Sequence, residues 1–123
     1  MFDLPTHADS IALIEEFAAA GKVVAAVCHG PAALVNVKVD GNSILDGEPV
    51  TGLSNVEEDI VGASEHLPFL LEDKLTERGA YYEKASAPFG SHIAIGRGGK
   101  LITGQNPASA TELATALLHE IQA

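Results

Sequence analysis

Cysteine is nearly absent from this 123-residue chain, which has one, Cys28. A single thiol cannot close an internal disulfide, so a disulfide framework of the secreted type is excluded and a reducing cytoplasm is the expected setting. Basic residues are scarce, with seven Lys and Arg against seventeen Asp and Glu and a formal net charge of -10. That balance repels phosphate backbones and anionic headgroups, which argues against nucleic acid and membrane surfaces as partners. Long hydrophobic runs are missing: no stretch approaches the ~20 apolar residues that span a bilayer, and no charged n-region followed by an apolar segment opens the chain. Repeats, low-complexity tracts and linkers are lacking. So is HExxH or a similar histidine spacing, and no metal or cofactor is expected.

What remains is the composition of a globular protein, 46% hydrophobic and 20% charged, at a length that suits one domain over residues 1–123. THADSIALIEEFAAAG reads as a helix, with Thr6 and Asp9 resembling a capping box, Ile11, Leu13, Ile14, Phe17 and Ala18 as its apolar face, and Gly21 as its stop. VVAAV then reads as a buried parallel strand, and PAALVNV, with Pro31 in its first turn, as a short helix. Helix, strand, helix is the order of an α/β sheet. The turn-rich DGNSILDGEPVTGLSN holds one or two short strands, after which EEDIVG and HLPFLLEDKLTERGA read as helices, the second carrying Phe69, Leu70, Leu71 and Leu75. YYEKA and HIAIG are strand-like, and GRGGKLITG is a hairpin turn into another strand, not a phosphate loop, because no helix follows it. NPASATELATALLHEIQA closes the chain as an amphipathic helix with Asn106 as N-cap and Leu113, Ala114, Leu117, Leu118 and Ile121 facing inward.

The chemistry concentrates at Ala26-Val27-Cys28-His29-Gly30, where the hydrophobic strand breaks. This is the layout of a nucleophile elbow, a sharp turn from strand to helix that lifts one reactive side chain to the carboxyl edge of the sheet. Small residues at Ala26 and Gly30 suit so tight a turn. A helix start just after Cys28 favours thiolate over thiol, and the backbone N–H groups of His29 and Gly30 are placed to hold an oxyanion. His29 can serve Cys28 only if the elbow bends the backbone, since adjacent residues on a regular element diverge. The acidic pair Glu57-Glu58, just after VTGLSN, is the best placed to orient the imidazole, although on base rates alone an ordinary acidic helix start is the commoner reason for such a pair. His7, His66 and His119 fall on solvated helical segments, while His92 precedes a strand as a core or pocket residue.

Taken together, GKVVAAVCHGPAALVNV, GEPVTGLSNVEEDIVG, HLPFLLEDKLTERGAYYEKA and KLITGQNPASATELA resemble the PfpI-type superfamily with the class I glutamine-amidotransferase-like fold. Within it they are most similar to the branch of heat-shock chaperones, glyoxalase III enzymes and deglycases. The resemblance implies a flavodoxin-like three-layer α/β sandwich with a mostly parallel sheet. It also implies a site with Cys28 as nucleophile, His29 as base and Glu58 as orienting acid, Glu57 being the alternative acid. The substrate it implies is a small reactive carbonyl such as methylglyoxal, turned to lactate without glutathione or metal. Holding chaperones of unfolded clients and peptidases or amidases occur in the same superfamily. In that family MFDLP is an interior stretch, so the first strands of the sheet and a carboxylate that contacts the thiol have no counterpart here. The resemblance therefore implies a partial domain that pairs with a missing first half or restores its sheet as a homo-oligomer.

Overall fold

The computed structural model describes residues 1–122. Helix α1 (Ala8–Ala19) leads into strand β1 (Val24–Val27), and a 3-10 turn, Gly30–Leu34, follows directly. Strands β2 (Lys38–Val39) and β3 (Asn42–Ser43) form a small antiparallel hairpin around Asp40 and Gly41, both at positive φ, as a two-residue hairpin loop requires. Strand β4 (Pro49–Val50) precedes α2 (Asn55–Val61) and α3 (Leu71–Glu77), and pairs in parallel with β5 (Tyr81–Tyr82). Strands β6 (Ile93–Gly96) and β7 (Leu101–Gly104) form the second hairpin, and α4 (Ala110–Gln122) completes the described chain.

The principal sheet has the order β1-β7-β6. β1 runs parallel to β7, with Val24 opposite Leu101 and Val27 opposite Gly104, and β6 runs antiparallel to β7. Side chains alternate across a strand, so Leu101 and Ile102 serve opposite faces. Leu101 joins the core with Leu34, Val37, Ile44, Leu45, Val50, Leu71 and Leu75, against which Ile11, Ile14 and Ala18 of α1 pack. Ile102 faces α4 across a groove shared with Ile93, Ile95 and Ala116. The layers are therefore α1, sheet and α4, a mixed α/β architecture.

Several elements differ from the sequence expectation. Thr6 is not the cap of α1: it ends a 3-10 turn, Leu4–Thr6, with Pro5 at its centre, and the cap moves to His7, whose Nδ1 accepts from Ser10 N at 3.3 Å. The helix expected over HLPFLLEDKLTERGA shortens to α3, because Pro68 has no N–H and holds Leu67 extended. Phe69 and Leu70 thus precede the helix, while Leu71 and Leu75 are its buried residues. PAALVNV forms a 3-10 turn, not an α-helix, and only through Leu34.

The largest departure is at the edge of the sheet. VVAAV was expected to be fully buried, yet every residue of β1 is only half-buried, because β1 is the terminal strand. The helices beside it are affected in the same way. Leu13 and Phe17 of α1 are exposed, and of the residues expected to face inward from α4 only Leu113 is buried; Ala114, Leu118 and Ile121 are exposed and Leu117 is intermediate. Leu75, with no exposure, and Leu118, at 56%, therefore predict opposite outcomes. In urea unfolding, Leu75→Ala should lose about 2–5 kcal/mol through lost transfer energy and cavity formation, and Leu118→Ala should stay within about 0.5 kcal/mol of the parent.

Candidate active site

Val27 is the last paired residue of β1, and Cys28 N still donates to Gly104 O at 3.0 Å. The backbone then turns: Cys28 has φ 62, and His29 returns to the right-handed region at φ -82, ψ -12 to begin the 3-10 turn. A left-handed residue with a side chain costs about 1–2 kcal/mol, so surrounding contacts must hold it. Cys28 O accepts from Leu53 N at 3.0 Å, which ties the elbow to the segment after β4. Gly52 allows that approach, since a Cβ there would lie 2.8 Å from Leu71 Cδ2 and 3.3 Å from Cys28 O. Tyr82 Oη fixes the same segment by donating to Gly52 O at 2.7 Å. The small residues read from the sequence meet as expected, a Cβ on Gly30 standing 3.4 Å from that of Ala26.

His29 Nε2 lies 2.7 Å from Glu58 Oε2. Glu58 is fully buried, whereas the imidazole is 38% exposed, so one end of the pair is shielded and the other open. A short, partly desolvated contact of this kind is a charge-assisted hydrogen bond when the imidazole is protonated. With Nε2 engaged, Nδ1 is the nitrogen left for proton exchange. Among the described residues no hydrogen bond joins the imidazole to Cys28 Sγ. Such contacts commonly tighten only around substrate. The backbone N–H groups of His29 and Gly30 open a 3-10 turn whose next residue, Pro31, has none.

The thiol does not follow the sequence expectation. Burial pushes the Cys28 thiol above its ordinary value, the His29 backbone N–H pulls the other way, and the negative charges of Glu58 and Glu57 push it up again. Burial, with the two carboxylates adding to it, outweighs the N–H at the start of the turn that is expected to favour thiolate.

Glu57, the alternative acid, does not touch His29. It is fully buried and collects five hydrogen bonds. Oε1 accepts from Ser54 N at 2.9 Å, Ser54 Oγ at 2.8 Å and Gln105 Nε2 at 2.8 Å. Oε2 accepts from Phe89 N at 2.9 Å and Asn106 Nδ2 at 2.8 Å. Burial alone would push this carboxyl up, but the donors from Gln105, Ser54 and Asn106 outweigh it and hold the group below the usual carboxylate range. Asn106, expected to cap the last helix, makes no side-chain capping bond and serves Glu57 instead. Gln105 and Asn106 lie 48 and 49 residues from Glu57, so neither was legible. Ser54 carried a usable signal that the reading of EEDIVG as the helix passes over: S-x-x-E ahead of a helix is a capping box, and both halves of the box form.

The other histidines stay apart from this centre. His7, His66 and His119 are exposed. His92 is half-buried, with Nε2 3.0 Å from Glu83 Oε1. Among the described residues no cluster of three or more His, Cys, Asp or Glu could hold a metal ion, and no helix is long and apolar enough to cross a membrane.

Two pH effects follow. Alkylation of Cys28 by iodoacetamide should show a midpoint above the ordinary thiol value of about 8.5, and Glu58→Gln should lower that midpoint by removing a negative charge that opposes the thiolate. Glu57 has a depressed folded-state pKa, so its stabilisation is fully present above the unfolded carboxyl value of about 4.3 and is lost as pH falls through the folded value. Acid-induced unfolding followed by circular dichroism should accordingly show a shallower stability loss in Glu57→Gln than in the parent.

The family model described as DJ-1/PfpI family matches residues 3–120. A protein of Schizosaccharomyces pombe described as a probable glutathione-independent glyoxalase is 39% identical over 96% of this chain and 48% of its own length. A glutathione-independent glyoxalase of Saccharomyces cerevisiae is 36% identical over 89% of this chain and 48% of its own. The chain thus spans about half the length of the curated relatives it matches. Among solved structures, the 24 kDa rapid encystment protein of Francisella tularensis superposes with a TM-score of 0.90 at 42% identity, covering 97% of this chain and 52% of that one. Glyoxalase III of Candida albicans superposes with a TM-score of 0.88 at 28% identity, over 97% of this chain and 52% of that one. With the family model spanning all but a few terminal residues, this chain belongs to the DJ-1/PfpI family.

Proposed function

We propose that the chain carries the Cys28, His29 and Glu58 centre of a glutathione-independent glyoxalase acting on small reactive carbonyls of the methylglyoxal type. The observation that carries this reading is the 2.7 Å His29–Glu58 contact immediately beside a cysteine held at φ 62 on the elbow. The glyoxalase names borne by its relatives support it.

In this reading the Cys28 thiol, deprotonated by His29, adds to the aldehyde carbon and forms a hemithioacetal. His29 then takes the proton from C1 and returns it at C2 through an enediol, while the former C2 carbonyl becomes a hydroxyl. The product of that shift is a lactoyl thioester. Water hydrolyses the thioester, giving lactate and regenerating the thiol, so the sum is methylglyoxal plus water to lactate with no external oxidant or reductant. Glu58 holds the imidazole and stabilises its protonated form, and the His29 and Gly30 N–H groups face the charge developing on oxygen. A raised thiol pKa places the resting cysteine in the protonated form, so His29 must remove the proton as substrate binds. The free thiol is consistent with a reducing, cytoplasmic setting.

A second reading is favoured by the exposed Leu13 and Phe17 of α1 and Leu118 and Ile121 of α4, of which Phe17 and Ile121 line one cleft beside the start of the edge strand β1. It is a binding module that holds unfolded clients, pairs with the remaining half of the domain or forms a homo-oligomer. The two readings separate in one experiment on the purified chain with methylglyoxal and without glutathione. Lactate should appear, and Cys28→Ser should lower its rate on the order of 10³-fold or more while leaving suppression of client aggregation unchanged. Absence of lactate from the folded chain, with client holding intact, would overturn the first reading in favour of the second.

A further inference from the structure

Glu58 is fully buried, yet its Oε1 has no hydrogen-bond partner among the described residues, and its Oε2 has His29. By itself that carboxylate is weakly fixed. Its neighbour in sequence has five donors, and the bonds of that neighbour reach Glu58 through the backbone. Glu57 Oε1 holds both the N and the Oγ of Ser54, Ser54 Oγ accepts from Glu57 N at 3.2 Å, and Ser54 O accepts from Glu58 N at 2.9 Å. The first turn of α2, and with it the backbone of Glu58, is therefore pinned from one side by Glu57.

The same carboxylate reaches across to the segment after β5. Phe89 N donates to Oε2, Asn106 Nδ2 bridges Oε2 and Gly90 O, and Gln105 Oε1 accepts from Ala85 N at 2.8 Å while its Nε2 serves Glu57. Phe89 is held at φ 61, a conformation that needs such ties. Residues 84–88 form one wall of a cavity of about 160 Å³, and Ser54, Val56 and Gln105 form the other. One ionised group thus joins three segments that are distant in sequence.

We propose that Glu57 is a positioning residue: its buried carboxylate sets the first turn of α2 so that Glu58 meets His29, and anchors the 85–90 loop to the same point. The proposal deepens the reading of the Cys28, His29 and Glu58 centre and rests on it only for the use made of the alignment, since the alignment is measurable without turnover. A glutamine at this position would present an NH₂ to a site where five donors converge, so at least one donor would face another donor.

The experiment is proton and nitrogen NMR of the intact chain labelled in its histidines, with the His29 signals assigned by their loss in His29→Gln. In the parent, the proton shared by His29 Nε2 and Glu58 should resonate at low field. In Glu57→Gln it should be lost or exchange with solvent about tenfold faster or more. Gln105→Ala and Ser54→Ala, which each remove donors but keep the carboxylate, should give smaller changes in the same direction, and they decide the matter should Glu57→Gln fail to fold. Ile44→Val serves as a control for general destabilisation, because Ile44 is a buried core residue outside this network. An unchanged His29 signal in the network variants, or an equal change in Ile44→Val, would overturn the proposal whether or not the chain makes lactate.

Discussion

The left-handed backbone of Cys28 is the constraint on which the rest of the site depends. An extended residue there would carry β1 onward, and a helical one would turn the side chain back toward the sheet. At φ 62 the chain leaves the sheet within one residue and His29 can begin the next turn. That conformation is costly for a residue with a Cβ, and the contacts around it act against the cost. β7 supplies Gly104 O, the segment after β4 supplies Leu53 N, and Gly52 permits an approach that a larger residue would crowd. The elbow is thus a product of three separate segments, with the core residues Leu71 and Leu75 packed beneath Gly52.

Two adjacent carboxylates in α2 have different fates for a geometric reason. Successive residues of a helix point about 100° apart, so Glu57 and Glu58 cannot share partners. Glu57 turns toward the start of its own helix and the β7–α4 connection, where amide donors converge, and becomes a structural anion. Glu58 turns toward the elbow and meets an imidazole that can gain and lose a proton. Both charges act on Cys28, and with burial they disfavour the thiolate. The thiol is consequently held in reserve in the absence of substrate, which suits a cysteine beside an acceptor base better than one that is permanently ionised.

The elbow and the order of strands and helices were accessible from the sequence, because each has a local signature, whereas the residues alone left Glu57 and Glu58 open and only the family resemblance singled out Glu58. Cys28, His29 and Gly30 are contiguous, and S-x-x-E announces the start of α2. The donors to Glu57 from Gln105 and Asn106 were not accessible, since a contact across 48 residues leaves no periodic trace. The Asn106-Pro107 pair looks like a helix start by every local rule and is one, but the Asn106 amide is oriented by Nδ2 donating to Glu57 and Gly90 O, and its Oδ1 accepts from the Ser109 hydroxyl in place of a helix N–H. The raised thiol pKa leaves no local trace for a related reason: the helix-start argument counts the local dipole and omits the burial of the thiol by the surrounding fold and, after it, the charges brought from α2.

The apolar pattern of α1 and α4 was also read correctly as a pattern and incorrectly as burial, and the cause lies in the sheet. An amphipathic helix buries its stripe only where strands extend beneath it. In the principal sheet β7 is central and β1 terminal, so the sides of α1 and α4 that overhang β1 have little to cover. Phe17 from one layer and Ile121 from the other line the same cleft of about 370 Å³ at the start of β1, together with Val23. Open backbone groups on β1 and exposed apolar side chains above and below it describe one continuous surface, with the chemistry of a sheet interior. Strand addition at β1 would satisfy both layers at once, whereas a partner seated on α1 or α4 alone would leave the β1 hydrogen bonds unmade. Since Cys28 directly follows β1, that open edge leads straight to the thiol.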